Sequence, residues 1–199
     1  MSLAEFFGFV AAALGVLQAL PQTLRVRRLG HGRGVSLAMW LMMTGSSSVW
    51  LGYGLRIGSP SLIVSTVATG AMNMTVVLAL TAGRRGFLPG MLALFAAGTA
   101  ATALLPSWFA TPVLYAMTLS RMPQVVRSWK SRRDGVTGSA VSLGSVATSM
   151  ACLLCWEAYS ILLASPTLIG TTTVALCTNI AVAWLELGNR SSSRTSAAG

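Results

Sequence analysis

Gly34-Val35-Ser36-Leu37 opens an apolar stretch that closes on Trp50-Leu51-Gly52-Tyr53-Gly54, and Val141-Ser142-Leu143 opens another that closes on Trp156-Glu157-Ala158-Tyr159. The two stand 106 residues apart, and the same offset pairs Pro60 with Pro166, Thr66 with Thr172 and Asn73 with Asn179. Upstream, Pro21-Gln22 matches Pro123-Gln124 at an offset of 102. A register that keeps Trp, Tyr, Pro and Asn over roughly 40 residues marks two copies of one structural unit. A protein built this way does its work where the copies meet.

The solvent of that unit follows from composition. Only 9% of the 199 residues are charged and mean hydropathy is +0.70, too little charge for a water-facing surface of this size. The 20 glycines suit helices that approach closely in lipid. The expected class is an all-α integral membrane protein. A net charge of +10 in a soluble chain would suggest nucleic acid, but here the basic residues sit in short loops between apolar spans. That pattern signals topology and attraction to anionic lipid, so no nucleic-acid partner is expected. Cys152, Cys155 and Cys177 all fall in apolar spans and read as small packing residues, and the single histidine, His31, lies in a basic loop. No disulfide framework, metal or cofactor is expected. The start of the chain carries Glu5 and no basic stretch, so no cleavable leader is expected either.

A bilayer-crossing helix needs about 20 mainly apolar residues. Seven segments qualify: 4–24, 36–56, 60–82, 87–105, 108–128, 141–163 and 167–187. Arg25, Arg27, Arg28 and Arg33 follow span 1, Arg84 and Arg85 span 3, and Arg127, Lys130, Arg132 and Arg133 span 5, while Arg190 and Arg194 lie in the tail. Twelve of the fourteen basic residues thus share one side, Arg56 and Arg121 being the exceptions. The positive-inside rule makes that side cytoplasmic, with the N-terminus outside and the C-terminus inside. The expected organisation is a first three-helix repeat over 4–82, a linker helix over 87–105 and a second repeat over 108–187. A Ser-rich tail at 188–199 is expected to be disordered. One span between the copies makes the repeats parallel, a 3+1+3 arrangement of seven transmembrane helices.

Several residues can carry the work. Pro21 and Pro123 remove a backbone donor near the cytoplasmic ends of spans 1 and 5, so each is expected to kink its helix and act as a hinge, with Gln22 and Gln124 serving freed carbonyls or a neighbouring helix. Trp50 and Trp156 lie inside spans 2 and 6, where two indoles facing each other across the axis would clamp a sugar ring or another small flat face. One turn earlier, Ser46 and Cys152 share that helical face. Asn73 and Asn179 are costly in hydrocarbon unless paired, and Thr66 and Thr172 stand seven residues before them on nearly the same line. These side chains read equally as interhelical glue or as a polar lining. Glu157, whose counterpart is Leu51, is a membrane carboxyl and a candidate proton site. Adjacent helix positions lie about 100° apart, so it need not share a pocket with Trp156. No catalytic arrangement is present, and no enzyme activity is expected.

Pro-Gln at the end of a first helix, a basic loop, Gly-Val-Ser-Leu, then Trp-x-x-Tyr at the end of a second helix resembles the PQ-loop repeat, and two such repeats joined by one helix resemble the SWEET class of transporters. The resemblance covers essentially residues 5–187. It implies alternating access hinged at the PQ prolines, with a solute held between tryptophans and asparagines near the midplane. The tryptophans correspond to Trp50 and Trp156. In the family the pocket Asn comes soon after the proline opening the third helix; those places here hold Ser65 and Thr171, with Asn73 and Asn179 about two turns deeper.

The reading is therefore a multi-pass plasma (inner) membrane uniporter for a small neutral solute, with a mono- or disaccharide expected. Trp50, Trp156, Ser46, Cys152, Ser65, Thr171, Thr66, Thr172, Asn73 and Asn179 would line the path. Homo-oligomerisation is left open. The alternatives are a proton-coupled amino-acid transporter and a receptor or assembly factor that binds without transporting.

Overall fold

The computed structural model describes residues 1–29, 37–81, 87–119, 122–133 and 143–196. They form eight helical segments: α1 Leu3–Leu29, α2 Leu37–Ile57, α3 Pro60–Leu80, α4 Phe87–Leu104, α5 Ser107–Leu119, α6 Met122–Arg133, α7 Leu143–Leu162 and α8 Pro166–Ser196. The seven expected spans map onto these, span 5 being described as α5 and α6. Gly34-Val35-Ser36, Val141-Ser142, Arg33, Arg84, Arg85 and Arg121 lie outside the described residues, as do the side chains of Pro21, Gln22, Pro123 and Gln124.

The corner between α2 and α3 recurs between α7 and α8. Gly58 (φ +65°) and Ala164 (φ +50°) turn into the left-handed region 106 residues apart. The Gly58 and Ala164 amides donate to Leu55 and Ile161, and the next amides, Ser59 and Ser165, donate to Gly54 and Ser160. These are the two bonds of a Schellman stop. A proline then starts each following helix, where its missing N–H costs nothing. Ser59 caps α3 by accepting from the Leu62 amide at 3.1 Å. Ala164 holds the same turn as Gly58 despite its Cβ, at a cost of roughly 1–2 kcal/mol.

In each copy the third helix lies between the other two. α3 packs along α1 and α2, and α8 along α7 and the α5–α6 pair. Between copies, α1 runs along α7 while α5 touches α2, the exchange that a two-fold axis along the bundle requires. α4 lies against α2, where Thr99 and Thr102 donate to the Ser48 and Val49 carbonyls at 3.1 and 3.0 Å. Gly52 makes that approach possible, since a Cβ there would overlap Thr99 and Thr102. Gly8 does the same for α1, whose backbone lies against Ser61 and Tyr159.

Large apolar side chains face outward: Leu94 and Trp184 are 67% and 64% exposed. Small polar ones are inside, among them Thr44, Ser47, Ser48, Ser65, Thr66, Thr102 and Thr171. That is the polarity of a protein dissolved in lipid, where burying apolar surface yields little and packing with hydroxyl bonds holds helices together. Thr44, Thr66 and Thr171 donate to the carbonyl four residues back, which satisfies each hydroxyl inside its own helix. Three helices among the described residues are long and apolar enough to cross a bilayer by themselves, Pro60–Leu80, Phe87–Leu104 and Pro166–Leu185.

The backbone is helical at both PQ prolines, Pro21 in α1 and Pro123 in α6, residues 120 and 121 before α6 lying outside the described residues. One expectation changes. The tail expected to be disordered from 188 is helical as far as Ser196, an extension of α8.

Candidate functional site

Trp50 and Trp156 come from different copies and pack against one buried cluster, formed by Ala4, Val49, Tyr53, Leu62, Leu114, Tyr159 and Leu168. Each indole stands edge-to-face on the tyrosine three residues later in its own helix. The ring centroids are 6.2 Å apart at 87° for Trp50–Tyr53 and 5.3 Å apart at 84° for Trp156–Tyr159. Such pairs favour this perpendicular geometry, which fixes the indole planes. Both indoles are half-buried.

Beyond the tryptophans, toward the Ser59 and Ser165 corners, the copies are latched. The Tyr53 hydroxyl of α2 is hydrogen-bonded to Ser165 Oγ, the residue before α8, at 3.0 Å. The Tyr159 hydroxyl of α7 donates to Ser59 Oγ, the residue before α3, in a short bond. The two bonds are equivalent by the 106-residue offset, and each ties the second helix of one copy to the third-helix cap of the other. Tyr159 is fully buried and Tyr53 nearly so.

One latch has an addition. Glu5, in the first turn of α1, accepts from the Ser61 amide at 2.8 Å and from Ser59 Oγ at 3.4 Å. Its counterpart 102 residues on is Ser107, whose Oγ instead accepts from Arg56 at 2.9 Å while Arg56 also donates to the Leu105 carbonyl.

The remaining candidates separate. Asn73 is buried and its amide donates to Ser47 of α2 at 3.3 Å, inside the first copy. The residue matching Ser47 is Leu153, and the Asn179 amide nitrogen is buried without a partner. Ser46 is half-buried; Cys152 is buried and donates to the Ala11 carbonyl of α1 at 3.3 Å. Ser65, Thr66 and Thr171 are buried, the two threonines being satisfied within their helices. Glu157 is turned to α8, where Thr173 donates to one carboxyl oxygen at 2.8 Å and Thr172 to the other. Among the described residues no three His, Cys, Asp or Glu side chains gather as a metal site would need.

The sequence reading missed the Tyr–Ser latches and the role of Glu5. Trp-x-x-Tyr and Ser-Pro recur in both copies, and that recurrence was the available signal. It was silent on which copy each tyrosine reaches. Trp40, buried under α4 with Val76, Val77 and Met91, was also missed, because its counterpart Val146 breaks the repeat.

No protein-family profile matches the chain. A stretch of 67 residues, 34% of this chain and 78% of the relative, is 36% identical to the sugar transporter SemiSWEET of Bradyrhizobium diazoefficiens. Among solved structures, a eukaryotic SWEET transporter determined at 3.7 Å superimposes with a TM-score of 0.70, over 94% of this chain and 99% of that one, at 14% identity.

Proposed function

This chain belongs to the SWEET–SemiSWEET family of membrane transporters, and from that premise we propose that it carries a mono- or disaccharide down its gradient by alternating access. The observation that carries the reading is that Trp50 and Trp156, one from each copy, pack against one buried cluster beneath a pair of reciprocal latches. A sugar ring has apolar C–H faces suited to stacking between indoles and a rim of hydroxyls that need hydrogen-bond partners. The unpartnered amide of Asn179 is one such partner.

The latches have the strength that a reversible gate needs. A neutral hydrogen bond contributes about 0.5–1.5 kcal/mol net. Two of them hold the Ser59/Ser165 end shut, yet thermal motion breaks them together. By the loop charges this end faces outside, with the N-terminus outside and the C-terminus in the cytoplasm of a plasma-membrane protein. The closed outer end leaves the solute to leave or enter from the cytoplasmic half, about the PQ prolines. Transport needs no ATP and no proton gradient.

The test is counterflow in proteoliposomes loaded with one unlabelled sugar or neutral amino acid at a time. Labelled sugar should accumulate, and an imposed pH gradient alone should drive no net uptake. Uptake driven by the pH gradient would replace uniport by proton coupling. No flux of any solute through folded protein would replace transport by binding alone.

A further inference from the structure

The two latches match in geometry and differ in chemistry, and the difference is Glu5. Ser59 Oγ has one proton and two lone pairs. It accepts from the Leu62 amide and from the Tyr159 hydroxyl, which fills both lone pairs and leaves its proton to be given away. Glu5 Oε1 takes that proton at 3.4 Å, Ser61 Oγ being the other neighbour at the same distance. Glu5 Oε2 meanwhile caps the Ser61 amide in the first turn of α3, where a carboxylate also faces the positive end of the helix dipole. Direction therefore runs one way along Tyr159, Ser59 and Glu5. An ionised carboxylate at the end fixes the serine as acceptor toward the tyrosine, and aligned bonds of this kind reinforce one another. At the other latch, Ser107 stands where Glu5 would be and Arg56 is bound to it, so among the described residues no carboxylate backs Ser165.

We propose that Glu5 is a positioning residue that holds the outer gate shut by fixing Ser59 as the acceptor of the Tyr159 latch. Without that carboxylate the start of α3 loses an anion and Ser59 loses its charged acceptor, so the Tyr159 latch loosens. Arg56 is engaged with Leu105 and Ser107.

The proposal rests on the alternating-access reading for its consequence, but its test needs no substrate. Spin labels at Ile57→Cys and Leu163→Cys, exposed positions related by the repeat, report the outer opening in reconstituted protein with Cys152, Cys155 and Cys177 replaced by Ser. Glu5→Gln should raise the open-to-closed ratio about tenfold, and in a Tyr159→Phe background, where the latch is already gone, it should add little. Ser107→Ala should keep the wild-type distances. Wild-type distances in Glu5→Gln, or an effect of Glu5→Gln undiminished in Tyr159→Phe, overturn the assignment. Failure of sugar counterflow with the distance response intact would count against the transport reading and leave the Glu5 gate standing.

Discussion

Tyr53 and Ser165 belong to opposite copies of the repeat and share a hydrogen bond of 3.0 Å, and the same two residue types close the other side of the axis as Tyr159 and Ser59. A bond present twice under one symmetry operation is part of how the copies recognise each other. Replacing Tyr53 by Phe removes only the hydroxyl. A double-mutant cycle of Tyr53→Phe with Ser165→Ala, read by thermal unfolding in detergent, should give a coupling of about 0.5–1.5 kcal/mol. A coupling indistinguishable from zero would mean that the bond does not hold the copies. Tyr53→Phe with Tyr159→Phe should bias the protein to its outer-open form and slow counterflow, because the gate then closes without either latch.

The tryptophans should separate binding from folding. Trp50→Phe and Trp156→Phe keep an aromatic ring on Tyr53 and Tyr159, so stability should change little. Stacking on a sugar loses area, and the concentration for half-maximal counterflow should rise several-fold in each. Alanine at either position should abolish counterflow and also leave a cavity beside the cluster, costing about 3–5 kcal/mol. Unchanged kinetics in both alanine variants would remove the tryptophans from the path.

The repeat, the class and the helix order were legible in the sequence because each depends on residue type at a fixed offset. Ser59-Pro60 and Ser165-Pro166 even announce the two corners. What was not legible depends on direction. Glu157 follows Trp156 in sequence, yet about 100° of helix turn sends it to Thr172 and Thr173 of its own copy. Asn73 and Asn179 match in sequence, but Ser47 answers the first and Leu153 cannot answer the second. Equivalence by offset locates a residue and leaves its partner undetermined, since the partner comes from another helix.

That asymmetry makes the asparagines a sharp comparison. Asn73→Leu breaks the bond to Ser47 in a packed interior and should destabilise the protein by about 1–3 kcal/mol. Asn179→Leu removes an amide that has no partner, so stability should hold or rise slightly. Its cost should appear in transport, as weaker sugar affinity at unchanged thermal midpoint. The reverse pattern, with Asn179→Leu unstable and fully active, would make Asn179 a packing residue and take it out of the solute's path.

Glu157 decides between uniport and proton coupling. Its carboxyl oxygens accept from Thr173 and Thr172, both on α8. The first copy works with Leu51 at the same place. Glu157→Leu should therefore leave counterflow within about twofold of wild type, because the Thr172 hydroxyl then donates to the Leu168 carbonyl at 2.8 Å and α7 keeps its packing on α8. Glu157→Gln should behave alike. Counterflow that survives in neither variant, from protein with an unchanged thermal midpoint, would show that the carboxyl itself is used. Uniport would then give way to a transporter that takes up a proton between α7 and α8.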